Sequence, residues 1–273
     1  MATITPFRYA GSKNKLLKIL TPEIDKIFQR NKCQGFADVF VGGGSVLLEI
    51  ANKYPNIYLF ANDKDYWIYC FWKIVSDENV NNMNKLLDIM KSSPTISLFN
   101  EWRANTSVDE IECAYKAIFF NRTTFSGILT SGPIGGQEQR SKWAVNCRYN
   151  YDKLKNKILK CHDLLVGRTK VSNNDFINYK IMNHNDILLY CDPPYFEKGN
   201  MLYREGMSFD EHKNLSNILS SRPNWILSYD DHIEIRKLYK DKNIIDLAAN
   251  YCINGKKNNW KKKNELIITS EKQ

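Results

Sequence analysis

No stretch of about 18 apolar residues occurs anywhere in the chain. The opening Met-Ala-Thr-Ile-Thr-Pro-Phe also lacks a basic segment followed by an apolar core. Neither a membrane span nor a secretory leader is expected, and a cytoplasmic location is. Cys-x-x-Cys spacing is absent: the seven cysteines, Cys33, Cys70, Cys113, Cys147, Cys161, Cys191 and Cys252, are scattered and odd in number. That argues against a disulfide framework and a zinc site, and for buried free thiols in a reducing compartment. Histidine is scarce, with only His162, His184, His212 and His232, so no metal centre is expected. Among 273 residues there are only 13 Gly and 8 Pro against 43% hydrophobic residues, which excludes collagen-like and mostly disordered classes.

Acidic residues are in deficit, 30 against 39 Lys plus Arg, a net charge of +9. A basic balance favours a polyanionic partner, nucleic acid before anionic membrane. At roughly 150 residues per domain the length allows one large α/β unit or two small domains.

Seven short β-branched or aromatic runs are candidate strands: 35–40, 57–61, 170–172, 187–191, 225–228, 244–247 and 265–269. They alternate with helix-like stretches, as in a largely parallel sheet covered by helices. Residues 76–165 read differently. Met83, Leu86, Leu87 and Met90, then Ile111, Ala114, Tyr115, Ile118 and Phe119, recur at helical spacing. This predicts a helical insertion at 76–165 in a domain formed by 1–75 and 166–273. A Gly/Ser/Thr-rich loop follows Ser126, of a length that usually marks function or disorder.

Three motifs carry chemistry. Val39-Phe-Val-Gly-Gly-Gly-Ser45 is an apolar strand, a triple glycine and the start of an apolar helix-like run. Glycine lets the backbone approach a ligand, and a helix N-terminus offers unpaired N–H groups. The spacing is neither Gly-x-Gly-x-x-Gly nor a P-loop, and any tight strand-to-helix turn could use the same residues. Asp63 follows at the end of the next strand, about 20 residues on, where nucleoside binders accept ribose hydroxyls. A helix cap is the other reading of that residue. Finally, Leu188-Leu-Tyr-Cys-Asp192-Pro193-Pro194-Tyr195 ends a buried strand with an acid, two prolines and an aromatic. The prolines stop the strand and fix an extended backbone. A nucleobase amine needs two acceptors and a flat surface to stack on; the Asp192 carboxylate, the Pro193 carbonyl and the Tyr195 ring supply them. An ordinary exposed turn would have the same composition.

Asp192-Pro-Pro-Tyr195, the Asp38-Val-Phe-Val-Gly-Gly-Gly-Ser45 turn and Phe7-Arg-Tyr-Ala-Gly-Ser-Lys13 together resemble the Dam-like, alpha-class DNA adenine-N6 methyltransferases. The motifs also stand in that family's order, across nearly the whole chain. The resemblance implies a class I S-adenosylmethionine-dependent methyltransferase fold, a seven-stranded mixed Rossmann-like sheet whose last strand is antiparallel. It places Tyr9 and Lys13 near the methionine part of S-adenosylmethionine, Phe40, Gly42, Gly43 and Gly44 around it, and Asp63 on the ribose. Asp175 and Phe176 fall near the cofactor adenine, and Asp192 borders the cofactor. Asp192, Pro193, Pro194 and Tyr195 would act on an adenine amine flipped out of double-stranded DNA. Ser228-Tyr-Asp230 is similar to a later Ser-Asn-type motif, and Glu265-Leu-Ile-Ile to the closing strand. No metal is implied, and a monomer is expected.

Asn121-Arg122-Thr-Thr-Phe125-Ser126-Gly127 is similar to the segment entering the family's DNA-contacting hairpin. Beyond it the sequence lacks the Arg-x-Asn and Phe-Asn-x-Pro pattern of GATC-methylating members, which leaves the target sequence open. Arg122 could read a guanine edge or make a structural ion pair. Lys261, Lys262 and Lys263, beside Trp260 and between the last two expected strands, suit phosphate contact or a solvated hairpin tip. Tyr203 could pack on a flipped base or in the core. An RNA adenine or a cytosine N4 would fit the same two acceptors, and a non-catalytic DNA-binding relative is the remaining alternative, against which the retained Lys13, glycines, Asp63 and Asp192–Tyr195 motif argue.

Overall fold

The computed structural model describes residues 4–8, 14–196, 204–252 and 260–271. Seven strands, β1 Gly35–Asp38, β2 Tyr58–Asn62, β3 Thr169–Ser172, β4 Ile187–Cys191, β5 Trp225–Asp230, β6 Asn243–Cys252 and β7 Trp260–Thr269, form one sheet. Its order is β3-β2-β1-β4-β5-β7-β6. The first five are mutually parallel, and β7 runs antiparallel to both neighbours. This is the mixed sheet with an antiparallel last strand that the resemblance implies.

Strand residues alternate between two apolar layers. Phe36, Leu188, Tyr190 and Ile226 enter one buried cluster, while Ala37, Leu189, Cys191, Trp225 and Leu227 enter the other. A period of two with both faces apolar is what a sheet covered on both sides demands. The first layer is closed by α1 Asn14–Asn31, α2 Ser45–Lys53, α3 Tyr66–Ser76, α4 Asn81–Ile89, α6 Glu110–Thr123 and α7 Tyr151–Leu165, with α5 Ile96–Ala104 beside them. The second is closed mainly by α8 Phe209–Ser220 and α9 Ile233–Leu238.

In α6, Ala114, Tyr115, Ala117, Ile118, Phe119 and Phe120 are all buried. Even Lys116 is buried there, its ammonium donating to the carbonyls of Asn105 at 2.8 Å and Ser107 at 3.1 Å. α6 packs on α3, and α7 packs on α2 and α3 before leading into β3. One apolar cluster therefore runs unbroken from the sheet into the helical segment. On the other side, the buried Arg222 guanidinium gathers the chain entering β4. It donates to the carbonyls of Met182 (2.7 Å), His184 (2.8 Å) and Ile187 (2.8 Å).

Three details differ from the sequence reading. β1 ends at Asp38, because the chain crosses over as it enters the glycine turn: Val39 N donates to the Tyr190 carbonyl and Val41 N to that of Asn62. β6 and β7 are each at least twice the expected length, and residues 261–263 pair within β7 against Tyr251, Asn250 and Ala249. Lys261, Lys262 and Lys263 thus belong to a strand rather than a loop tip; ladder bonds hold this extension and leave no apolar alternation to read. Of the cysteines, Cys33, Cys70, Cys113, Cys161 and Cys191 are buried and free, but Cys147 is exposed.

Candidate active site

The glycine turn lies at the carboxyl edge of the sheet. Gly42 and Gly44 adopt φ of 44° and 65°, the left-handed region that favours glycine. At Gly44 a Cβ would also come within 2.4 Å of the Trp72 ring. That ring is held against the turn, since Trp72 Nε1 donates to the Gly42 carbonyl at 2.8 Å. Thr5 Oγ1 donates to the Gly43 carbonyl.

Asp63, one residue past β2, accepts from Gly42 N at 2.8 Å and from Asp65 N at 2.9 Å. Capping α3 falls instead to Asp65, whose carboxylate accepts from Trp67 N at 2.9 Å. Asp63 is therefore tied to the glycine turn. Burial, then the nearby Asp65 charge, pushes its carboxyl up to about 7.

The strand β4 delivers Asp192 to the same edge. Ser228 Oγ, from β5, donates to Asp192 Oδ1 at 2.8 Å and lies 2.9 Å from the Tyr190 hydroxyl. Tyr195 is buried, and its hydroxyl donates to Glu265 Oε1 of β7 at 3.1 Å. Phe196 N donates to Asp230 at 3.1 Å, so β5 and β7 hold the whole Asp-Pro-Pro-Tyr turn. Asp175 caps the short turn at 176–178 and accepts from Lys64 Nζ at 2.9 Å. Phe176 is buried, its ring centroid 5.7 Å from that of Phe40.

One pocket is lined by Phe40, Gly42, Gly43, Gly44, Asp63, Asp175, Phe176, Asp192, Pro194 and Tyr195. Pro193 is buried and does not line it. Gly127 and Leu129, from the loop after α6, close one side. Tyr9, Lys13 and Tyr203 lie outside the described residues.

Asn121 and Arg122 sit elsewhere than at an exposed reading surface. Asn121 is buried and bonded to the backbone of Arg8 and Gly127. Arg122 donates to the Pro6 carbonyl, and its Nε is buried with no partner among the described residues. Burial, then the neighbouring Arg8, lowers its guanidinium to about 10. Exposed groups of this region include Phe125, 59% exposed, Ser126, at φ 57°, and Trp143, 53% exposed.

A family model described as D12 class N6 adenine-specific DNA methyltransferase matches residues 9–253. The chain belongs to that family. The type II methyltransferase M.MjaIII of Methanocaldococcus jannaschii is 22% identical to it over 261 residues, covering 87% of this chain and 80% of that protein. The activity of the chain is thus adenine methylation of DNA, and its sheet is that of the class I methyltransferases. Among the described residues no group of His, Cys, Asp and Glu could hold a metal ion, and no helix is long and apolar enough to cross a membrane.

Several pocket residues have no role in the sequence reading, Asp38 among them. Asp38, the last residue of β1, is buried and lines the pocket, and its Oδ1 has no hydrogen-bond partner among the described residues. Burial, then the charges of Asp192 and Asp63, holds its carboxyl well above the usual range. The available signal was an acid closing an otherwise apolar buried strand.

The raised Asp63 carboxyl ties the stability of the fold to pH. Asp63 binds its proton more tightly folded, at about 7, than at the ordinary 3.8, so folding is favoured by acid between those values. The stabilisation is complete below the ordinary value and is lost as pH rises through the folded one. Asp63→Asn removes this contribution. The melting temperature of the variant is expected to fall less than that of the wild type between about pH 5 and pH 8. Equal slopes would show that Asp63 titrates normally.

Proposed function

We propose that this pocket binds S-adenosylmethionine and presents it to an adenine turned out of double-stranded DNA. The observation that carries the reading is the convergence of the glycine turn, Asp63 and the Asp192–Tyr195 turn on one cavity. The fit is chemical as well as spatial. Asp38 and Asp63 give the pocket carboxyl acceptors, one of them the orphaned Asp38 oxygen. Such a lining suits a cationic ligand rich in donors, with an ammonium group and a ribose diol. When bound, the cofactor supplies a methyl group already activated by its sulfonium charge.

The chain's own residues then do the positioning. Gly42, Gly43 and Gly44 let the backbone approach the cofactor, Asp63 accepts from the ribose, and Phe40, Asp175 and Phe176 flank the adenine end. Tyr9 and Lys13 are assigned to the methionine end on the family resemblance. An adenine N6 lies inside the duplex, so the base must be extruded, at a cost of a few kcal/mol. Asp192 and the Pro193 carbonyl accept from the two amine protons, Pro194 keeps the turn rigid, and the Tyr195 ring supports the base. Orientation and fixed dipoles are the chain's contribution to rate.

We assign residues 76–165 to target recognition and 1–75 with 166–273 to catalysis. Phe125 and Ser126 face the duplex in this reading, with Asn121 and Arg122 beneath the loop, and Tyr203 is assigned to the flipped base on the sequence alone. The relative's type II designation favours a restriction-modification role, and a cytoplasmic monomer is the simplest working form. S-adenosylmethionine should raise the melting temperature, because a ligand bound only to the native state adds RT ln(1 + [L]/Kd), whereas NAD and ATP should not. No shift with S-adenosylmethionine at saturating concentrations contradicts the reading.

Lys261, Lys262 and Lys263 are assigned to phosphates. Replacing all three by Gln is expected to weaken binding to every duplex alike. The slope of log affinity against log salt should flatten by roughly one ion per lost contact. A changed methylation motif with an unchanged slope would make the strand a base reader instead.

A further inference from the structure

Residues 5–8 cross from the glycine turn to the loop that follows α6. At one end Thr5 Oγ1 donates to the Gly43 carbonyl and accepts from Phe7 N at 3.1 Å. Phe7 is buried, edge-on to Phe71 with centroids 4.6 Å apart. At the other end the Asn121 side chain grips the strap. Its Oδ1 accepts from Arg8 N at 2.6 Å, and its Nδ2 donates to the Arg8 carbonyl at 2.6 Å and to the Gly127 carbonyl at 3.1 Å.

An amide side chain has two N–H donors, and both are spent here on backbone carbonyls. Asn121 is 1% exposed, so reading a base would require it to release both the strap and the loop. The loop meets the strap closely. At Gly127, with φ 76°, a Cβ would lie 2.6 Å from the Arg8 carbonyl oxygen. Thr5, the strap, Asn121 and Gly127 therefore form one continuous chain of contacts. It begins at the turn assigned to the cofactor and ends at the loop assigned to the duplex.

We infer that Asn121 is a positioning residue that couples cofactor binding to duplex binding through residues 5–8. The inference rests on the reading given under Proposed function for the pocket and the loop. Either ligand favours the docked strap. The second then meets a site already ordered, and linkage requires each to raise the other's affinity by the same factor.

The test uses the whole chain, S-adenosylhomocysteine as a ligand that cannot react, and fragmented plasmid DNA as the duplex. In the wild type, saturating DNA is expected to tighten S-adenosylhomocysteine binding by at least about fivefold, and S-adenosylhomocysteine to tighten DNA binding equally. Asn121→Ala is expected to bring that factor to within about twofold of one, with each ligand alone still binding. Thr5→Val breaks the other end of the strap without touching the loop and is expected to do the same. It decides the matter if the melting curve shows Asn121→Ala to be unfolded. A wild-type factor of one, or a factor retained in a folded variant, overturns the coupling. A wild type that binds neither ligand overturns the proposed function instead.

Discussion

Replacing Asp192 by alanine is expected to slow methyl transfer by a factor on the order of 10² or more, the scale of losing one preorganised polar partner. Affinities for cofactor and duplex are expected to stay close to those of the wild type. Asp192 is held by Ser228 at 2.8 Å, and Ser228 by the Tyr190 hydroxyl at 2.9 Å. The carboxylate thus arrives oriented, with Oδ1 engaged by the protein. Its proposed work is done only when an amine sits against it, which places the loss in the chemical step rather than in binding. Asp192→Asn keeps one carbonyl acceptor and is expected to lose less. Single-turnover methylation separates the step from binding. Full activity in Asp192→Ala would remove this residue from the mechanism.

Asp63→Ala is expected to weaken S-adenosylmethionine binding by about 10- to 100-fold, since hydrogen bonds to charged groups contribute roughly 1.5–3 kcal/mol each. Two effects combine. The ribose loses its acceptor, and Gly42 N loses the carboxylate that fixes the turn at 2.8 Å. Asp63→Asn retains an acceptor and the turn bond, so it is expected to lose less. Calorimetric titration of both variants measures this, and an unchanged dissociation constant in Asp63→Ala would take Asp63 out of the cofactor site.

Most strands were legible because their runs are compact, mostly apolar and bounded by Gly, Asn, Asp or Pro. Their order in the sheet was not legible, since nothing in Thr169–Ser172 states that it pairs with β2. The extended β6–β7 hairpin was not legible: its Lys- and Asn-rich ends carry no apolar alternation. At the site, the glycine turn, Asp63 and the Asp192 turn announced themselves by composition at strand ends. Whether Asp63 or Asp65 caps α3 did not, because both stand at suitable spacing and only the backbone geometry decides. Long-range roles were out of reach. Asn121 bonds Arg8 across 113 positions and Ser228 bonds Asp192 across 36, and a sequence records neither separation as proximity.

The most direct test of the account is long-read sequencing of DNA from methylation-free cells that express the wild-type chain or Asp192→Ala. The account predicts N6-methyladenine at one recurrent short sequence with the wild type and its near-complete absence with the variant. Methylation on cytosine, no modified DNA from folded wild-type protein that binds S-adenosylmethionine, or equal methylation by the two chains would contradict it.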